Sequence, residues 1–468
     1  MILKHKDIEI PPDNPFKNCK LKRKPYAETL TNLVSNYADG FVLSVNTPWG
    51  TGKTTFIKMW QVYLQQQRFE TIYFNAWEND FDSDPMVALM SELKTLVKKE
   101  TEDNFDKLIK KAAIVCQNIL PALIKTTAEK YLGEGVITDL AENTTKAATE
   151  ILKDEIADYA KKKKGLADFR RELAEYITEY TNGKPLVIFI DEMDRCRPNY
   201  AVELLEKVKH FFSVPGIVFV LAIDKEQLGN AIKGCYGSEN FNSNEYLRRF
   251  IDLEFKLPIP SVGLYSEYLF EYFRFDEFFG KASRQHQEFK KDMDNFKFIA
   301  KFLFNHLGLN LRHQEKVFAQ ARVVLSTFKS NEYLFPLVYL FLVYAKDCKP
   351  SFYQRLTDGT TSPQGILDLL AEILPSELQE EEEMAFELLE VHLIVLYTNH
   401  YKETVRKYPE LIDDTGKLLI KPSTDRSEEY ISFTSLIKQM KQRTSNMSNV
   451  SITHLLKKID LLDNFQME

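Results

Sequence analysis

Residues 44–56, SVNTPWGTGKTTF, hold the residue types of a phosphate cradle. A phosphate-binding loop, or P-loop, reads G-x-x-x-x-G-K-[ST]. Gly52, Lys53 and Thr54 fit its second half, and Thr47 stands where the first glycine belongs. Such a loop turns backbone N–H groups inward around phosphate oxygens, and glycines permit the dihedrals and the close approach. Gly50 and Gly52 supply them here, Lys53 brings a point charge, and the Thr54 hydroxyl can ligate Mg²⁺. The stretch Pro48, Trp49, Gly50, Thr51, Gly52, Lys53, Thr54 and Thr55 is therefore the candidate nucleotide-binding segment. The first glycine contributes least to the cradle, and Thr47–Pro48 can still turn the chain.

The metal needs a second acid. Asp191 closes the apolar run LVIFID and is the candidate Walker B carboxylate, sharing the metal with Thr54. Glu192 follows at once and can orient the attacking water or take its proton. A polar turn ending a strand is the plainer alternative. Asn75 could face the γ-phosphate or its water, or simply cap a loop; Trp77 suits core packing at the sheet end. Asp194 and Arg195 read as a local ion pair, and Cys196 as a packed thiol.

These residues need strands to carry them. FVLSV at 41–45 runs into the loop, and TTFIKMWQVYLQQQ after it has the spacing of an amphipathic helix. TIYFNAW at 71–77, LVIFID from 186 and GIVFVLAID at 216–224 read as further strands. Helical stretches separate them, which predicts an α/β fold: a P-loop NTPase parallel sheet with helices on both faces. The expected core is 1–83 with 182–258. A long helical insertion fills 84–181, a helical lid 259–345, and a helical C-terminal region 346–468. The lysine run 161–164 and the acidic helix 376–390 read as solvated surfaces.

The motifs together resemble the KAP group of P-loop NTPases. WGTGKTTF, FNAW at 74–77 and IDEMDRC at 190–196 match that group's W-G-S-G-K-[ST], F-N-A-W and D-D-L-D-R-C in order. The long gap before the second acid also fits. The departures are Thr47 for glycine and Glu192-Met193 for Asp-Leu. The resemblance covers roughly residues 10–345. It implies a sensor-1 role for Asp224, an arginine finger at Arg249 before Phe250, and a sensor-2 role for Arg312. It also implies a defence-associated ATPase acting with a separate effector. Many relatives carry transmembrane helices in the insertion; 84–181 is too polar for that here.

The bulk numbers bound the function. The 468 residues exceed one compact core, and a net charge of −7 excludes an overall nucleic-acid magnet. Five scattered cysteines argue against a disulfide framework or zinc site. The apolar run 333–345, broken by Pro336, is too short for a membrane span and reads as a buried helix. Together these features suggest a cytoplasmic protein. The leading reading is a Mg²⁺- and ATP-dependent switch that forms a homo-oligomer or binds an effector protein. A DNA-acting motor or clamp would use LKRKPY at 21–26 or the 161–164 lysines, and a nucleotide-stabilised scaffold is the third reading. The guanine-reading N-K-x-D is missing from its expected place, which favours ATP.

Overall fold

The computed structural model describes residues 8–37, 39–81, 85–95, 163–178, 183–212, 214–238, 240–306, 308–373, 380–407, 409–423, 433–442 and 450–464, with single positions 108, 160 and 181. Most of 84–181, including Lys161 and Lys162, lies outside them. The chain divides into two compact units, Asp7–Ile259 and one that holds Pro260–Glu468.

The first unit is built on five parallel strands: β1 (Phe41–Asn46), β2 (Thr71–Asn75), β3 (Leu186–Asp191), β4 (Ile217–Ile223) and β5 (Leu253–Lys256). Their spatial order is β2-β3-β4-β1-β5. Side chains alternate across a strand, so β-branched and aromatic residues feed two cores. Leu43, Val45, Val187, Phe189, Val218 and Val220 pack with α1 (Lys24–Asn36) and α2 (Lys53–Gln66) on one face. Val42, Ile188, Ile190, Phe219 and Leu221 pack on the other. There they meet α3 (Pro85–Lys94), the helix at 163–178, and the helices Pro198–Phe212 and Lys225–Tyr236. The expected parallel sheet with helices on both faces is what forms.

Register decides what the sheet presents. Asn75 pairs with Asp191, Asp191 with Ala222, and Asn46 with Ile223. Four strands thus end level, at the carboxyl edge where open parallel sheets bind ligands. The edge strand β5 is short and largely exposed.

The second unit is helical. Its centre is the helix Pro336–Cys348, buried from Pro336 through Ala345. The apolar run is thus a core helix, and Pro336 opens it rather than interrupting it. The expected boundary at 345 falls inside this helix. Among the described residues, no helix is long and apolar enough to cross a membrane. The acidic helix Glu380–Val405 is less solvated than its composition suggests: Phe386, Leu389 and Glu390 are buried, and Glu390 accepts a bond from the Ser423 N–H at 3.0 Å. Arg284 and Asp292 form a buried pair at 2.7 Å, and burial pushes the Asp292 carboxyl up to about 7 against the arginine's pull.

Gly40 sets the entry to β1. Its φ is +94°, and a Cβ there would sit 2.6 Å from the Ile217 carbonyl oxygen, a backbone atom of β4. Both the dihedral and the space demand glycine. Gly40→Ala is expected to cost roughly 1–3 kcal/mol, read as a lower denaturation midpoint in urea; an unchanged midpoint would refute this account of the strand entry.

Candidate functional site

The loop between β1 and α2 has the expected form. Gly50 and Gly52 adopt positive φ, +76° and +82°, and Gly52 caps α2 in the left-handed conformation. The first-glycine position is explained by Thr47. It is buried, its N–H bonds the Ile223 carbonyl at 3.2 Å, and its hydroxyl meets that of Thr51 at 3.0 Å. The Thr51 hydroxyl also donates to the Pro48 carbonyl at 2.8 Å. Side-chain bonds therefore hold the turn that a glycine would otherwise relax into.

Lys53 is 8% exposed. Its Nζ donates to the Thr47 carbonyl at 3.3 Å and pairs with Asp194 Oδ2 at 3.5 Å. Burial lowers its pKa, while Asp194, Asp191 and Asp224 pull it back. The same Asp194 oxygen accepts from the Trp49 indole N–H and from the Asp224 N–H at 3.1 Å. Its other oxygen, Oδ1, is buried without a hydrogen-bond partner among the described residues. Asp194 pairs with the P-loop lysine, not with Arg195 as the sequence suggested; Arg195 reaches Glu192 instead, at 2.8 Å. The short 3₁₀ turn Met193–Arg195 puts consecutive side chains on different sides, which separates the two.

Asp191 is fully buried. Its carboxylate accepts from the Tyr73 hydroxyl at 2.9 Å and the Glu192 N–H at 2.8 Å, and the Thr54 hydroxyl lies near enough to lower its pKa. Burial raises its pKa, and the Tyr73 and Thr54 bonds oppose the rise. Glu192 sits at φ +61°, a strained place for a glutamate. The Asn75 amide reaches its Oε2 at 3.4 Å. The Asn75 carbonyl oxygen Oδ1 also accepts from the Trp77 and Glu78 N–H groups. Asn75 thus caps the loop with its oxygen and turns its amide toward Glu192. Trp77 is not core: it is 54% exposed, because the chain turns away at Asn75 and Ala76 takes the buried place. Cys196 is the packed thiol expected, with burial pushing its pKa up to about 12.

Asp224 caps the helix Lys225–Tyr236 through the N–H groups of Glu226 and Gln227, and its Oδ2 accepts from the Trp49 N–H at 3.1 Å. The two arginines behave differently. Arg249 is exposed and precedes β5, so it lies at the amino end of a strand whose carboxyl end flanks the loop. Four strand residues, about 13 Å, separate the two ends. The chain does not bring Arg249 to its own Lys53. Its neighbour Arg248 pairs with Glu245; Asp252 accepts from the Val42 N–H and Glu254 pairs with Lys225, so neither acid is the surface partner expected for the arginines. Arg312 is exposed at the start of the helix Leu311–Leu325, in the second unit.

Sequence reasoning missed Arg23. In the sequence it is one cation of the 21–26 stretch that a DNA-acting protein would use, yet it is buried with its guanidinium on the loop's own carbonyls: Nη1 to Gly52 at 2.8 Å and Nη2 to Thr51 at 2.7 Å. Tyr73, on the strand beside β3, was also missed. An interior-pointing position in TIYFN beside the second acid could have flagged it.

The sequence profile of the KAP family P-loop domain matches residues 23–333. An uncharacterised protein of Methanocaldococcus jannaschii is 30% identical over 177 residues, covering 33% of this chain and 89% of that protein. The Aeropyrum pernix ORC2 protein, solved in ADPNP–ADP complexes, aligns over 95% of this chain and 94% of its own, with 11% identity and a TM-score of 0.31. With the loop, the paired acids and the intervening gap all inside the matched span, the chain belongs to the KAP family of P-loop NTPases.

Proposed function

We propose that the chain binds Mg²⁺·ATP, hydrolyses it, and uses the cycle as an assembly switch. The observation that supports this most is the fully buried Asp191 at the end of β3, one residue before Glu192 and beside the loop that carries Lys53 and Thr54. A buried carboxylate beside the loop's hydroxyl fits a divalent cation. Thr54 and Asp191 would hold Mg²⁺, which supplies charge neutralisation on the β- and γ-phosphates.

The remaining work belongs to the chain. Residues Thr47–Thr55 wrap the phosphates, and Lys53 leaves Asp194 to meet them. Glu192, steadied by Arg195 and Asn75, accepts a proton from the water whose oxygen attacks the γ-phosphorus. The bond to the leaving ADP oxygen breaks, and phosphate departs. Arg249 serves as a finger only in a neighbouring copy, because its own site lies at the opposite end of the strand. Arg312 is proposed as sensor 2. A defence role with a separate effector follows from the family resemblance. Direct action on DNA has less support, since Arg23 of the 21–26 stretch is committed to the loop. ATP turnover measured with and without DNA, together with sizing in the presence and absence of ATP, tests the switch against the motor.

Glu192→Gln is expected to retain Mg²⁺·ATP binding and lose roughly 10²-fold or more in turnover, the scale of a general base. Full activity would remove Glu192 from the mechanism.

Asp191 carries a second expectation. Its folded pKa lies above the unfolded value, so the charged carboxylate opposes folding above the folded pKa, and the penalty fades as pH falls through it. Asp191→Asn keeps an acceptor for the Glu192 N–H, offers its amide to the Tyr73 hydroxyl oxygen, and removes the charge. The nucleotide-free variant should melt higher than wild type at pH 7 and gain nothing from Mg²⁺·ATP. Unchanged Mg²⁺-dependent stabilisation would break the assignment of Asp191 to the metal.

If Arg249 acts in trans, Arg249→Ala and Lys53→Ala are each inactive alone. Mixed, they should recover part of the activity through interfaces holding one complete site. Wild-type turnover by Arg249→Ala would dismiss the finger.

A further inference from the structure

Arg23 stands at the amino end of α1, buried to 3% exposure. That is a costly place for a guanidinium. The positive end of a helix repels it, and burial strips its water. Among the described residues no carboxylate pairs with it; the ionisable groups that act on it are Cys19 and Tyr26. Burial lowers its pKa to about 10, which leaves it a cation at neutral pH. Its two hydrogen bonds go to consecutive carbonyls of the phosphate loop, Thr51 at 2.7 Å and Gly52 at 2.8 Å.

Those carbonyls belong to the peptide groups whose N–H ends are Gly52 and Lys53. A trans peptide points its C=O and N–H in opposite directions. Both N–H groups therefore face away from Arg23, toward the inner side of the loop. A cation on the oxygen draws electron density through the peptide and strengthens the N–H as a donor. The fork of the guanidinium also fixes the two planes relative to one another. Gly52 leaves the room: a Cβ there would meet Nη1 at 3.4 Å, besides straining a φ of +82°.

We infer that Arg23 is a positioning residue of the nucleotide site, a buried cation behind the loop that aligns and polarises the Gly52 and Lys53 N–H groups for phosphate. Its charge lacks an acid because the nucleotide's phosphates are its counter-charge, one peptide layer away. The inference rests on the reading of this loop as a nucleotide site. The effect falls on phosphates whose charge is present before and during the reaction, so it acts on binding more than on turnover.

The test uses the full chain with Arg23→Gln and Arg23→Lys, measuring the Kd for Mg²⁺·ADP by calorimetry, KM and kcat for ATP, and the nucleotide-free Tm. Arg23→Gln should raise Kd and KM about 10-fold, with kcat within about threefold, as for loss of charge-assisted bonds felt equally in ground and transition states. Arg23→Lys, charged but unable to fork, should fall between Gln and wild type. A folded Arg23→Gln protein with wild-type Kd overturns the inference. So does a fall in kcat as large as the rise in KM, which would mark a loss of fold rather than of binding. Should Arg23→Gln fail to fold, a wild-type Kd in Arg23→Lys overturns it equally. If wild-type protein itself binds neither ADP nor ATP, the nucleotide reading fails instead.

Discussion

The first unit depends on one carboxylate oxygen. Asp194 Oδ2 receives the P-loop lysine, the Trp49 indole and the Asp224 backbone N–H, and its side chain is 1% exposed. Two of these donors follow β1 and one follows β4, and they meet an acceptor that follows β3, all at the same edge. Two charges buried this deeply hold together only if geometry and extra hydrogen bonds offset their lost hydration. Removing Asp194 would leave Lys53 buried without its nearest counter-charge. A loop kept in shape by an internal ion pair is also a loop with its cation already aimed, so in the proposed site a bound phosphate would replace Asp194 as the anion at Lys53.

Much of this was legible in the sequence. Apolar runs ending in acid gave β3 and β4, and the glycine-lysine pair gave the loop between β1 and α2. Those signals are local, because strands buried on both faces must be continuously apolar. What stayed hidden depends on contacts between distant segments. Arg23 lies 28 residues before Thr51 and looks like any surface basic residue until α1 docks. Asp194 and Arg195 are adjacent, which suggests a pair, but a 3₁₀ turn parts them and tertiary geometry assigns each another partner. Trp77 looks like core because it is large and apolar, yet the turn at Asn75 leaves it outside. The Glu380–Val405 helix misled in the other direction: a run of acids obscures the buried face that begins at Phe386.

Burial also divides the labour among the acids. Asp191 has no exposure and accepts from the Tyr73 hydroxyl and the Glu192 N–H, so its carboxylate is held in one place. Glu192 is partly exposed, on a strained backbone, and tied to Arg195 and Asn75 by side-chain bonds that can be exchanged. The backbone conformation turns its side chain away from the line of the strand. Neighbouring carboxylates of the same chemistry thereby differ in burial and in partners, and the proposed mechanism gives the proton to the more exposed one.

The pairing of β2 with β3 has a wider consequence. Thr71 lies against Val187, so the sheet closes over a very long stretch of chain between two neighbouring strands. The entropy of closing such a loop rises only with the logarithm of its length, by about 0.6 kcal/mol for each doubling. Having once met the cost of a long closure, the fold is nearly indifferent to further length there. The gap between these strands is a place where evolution can splice in or trim whole modules while the catalytic edge keeps its register. The same closure delays folding, because β2 has no partner until β3 has left the ribosome.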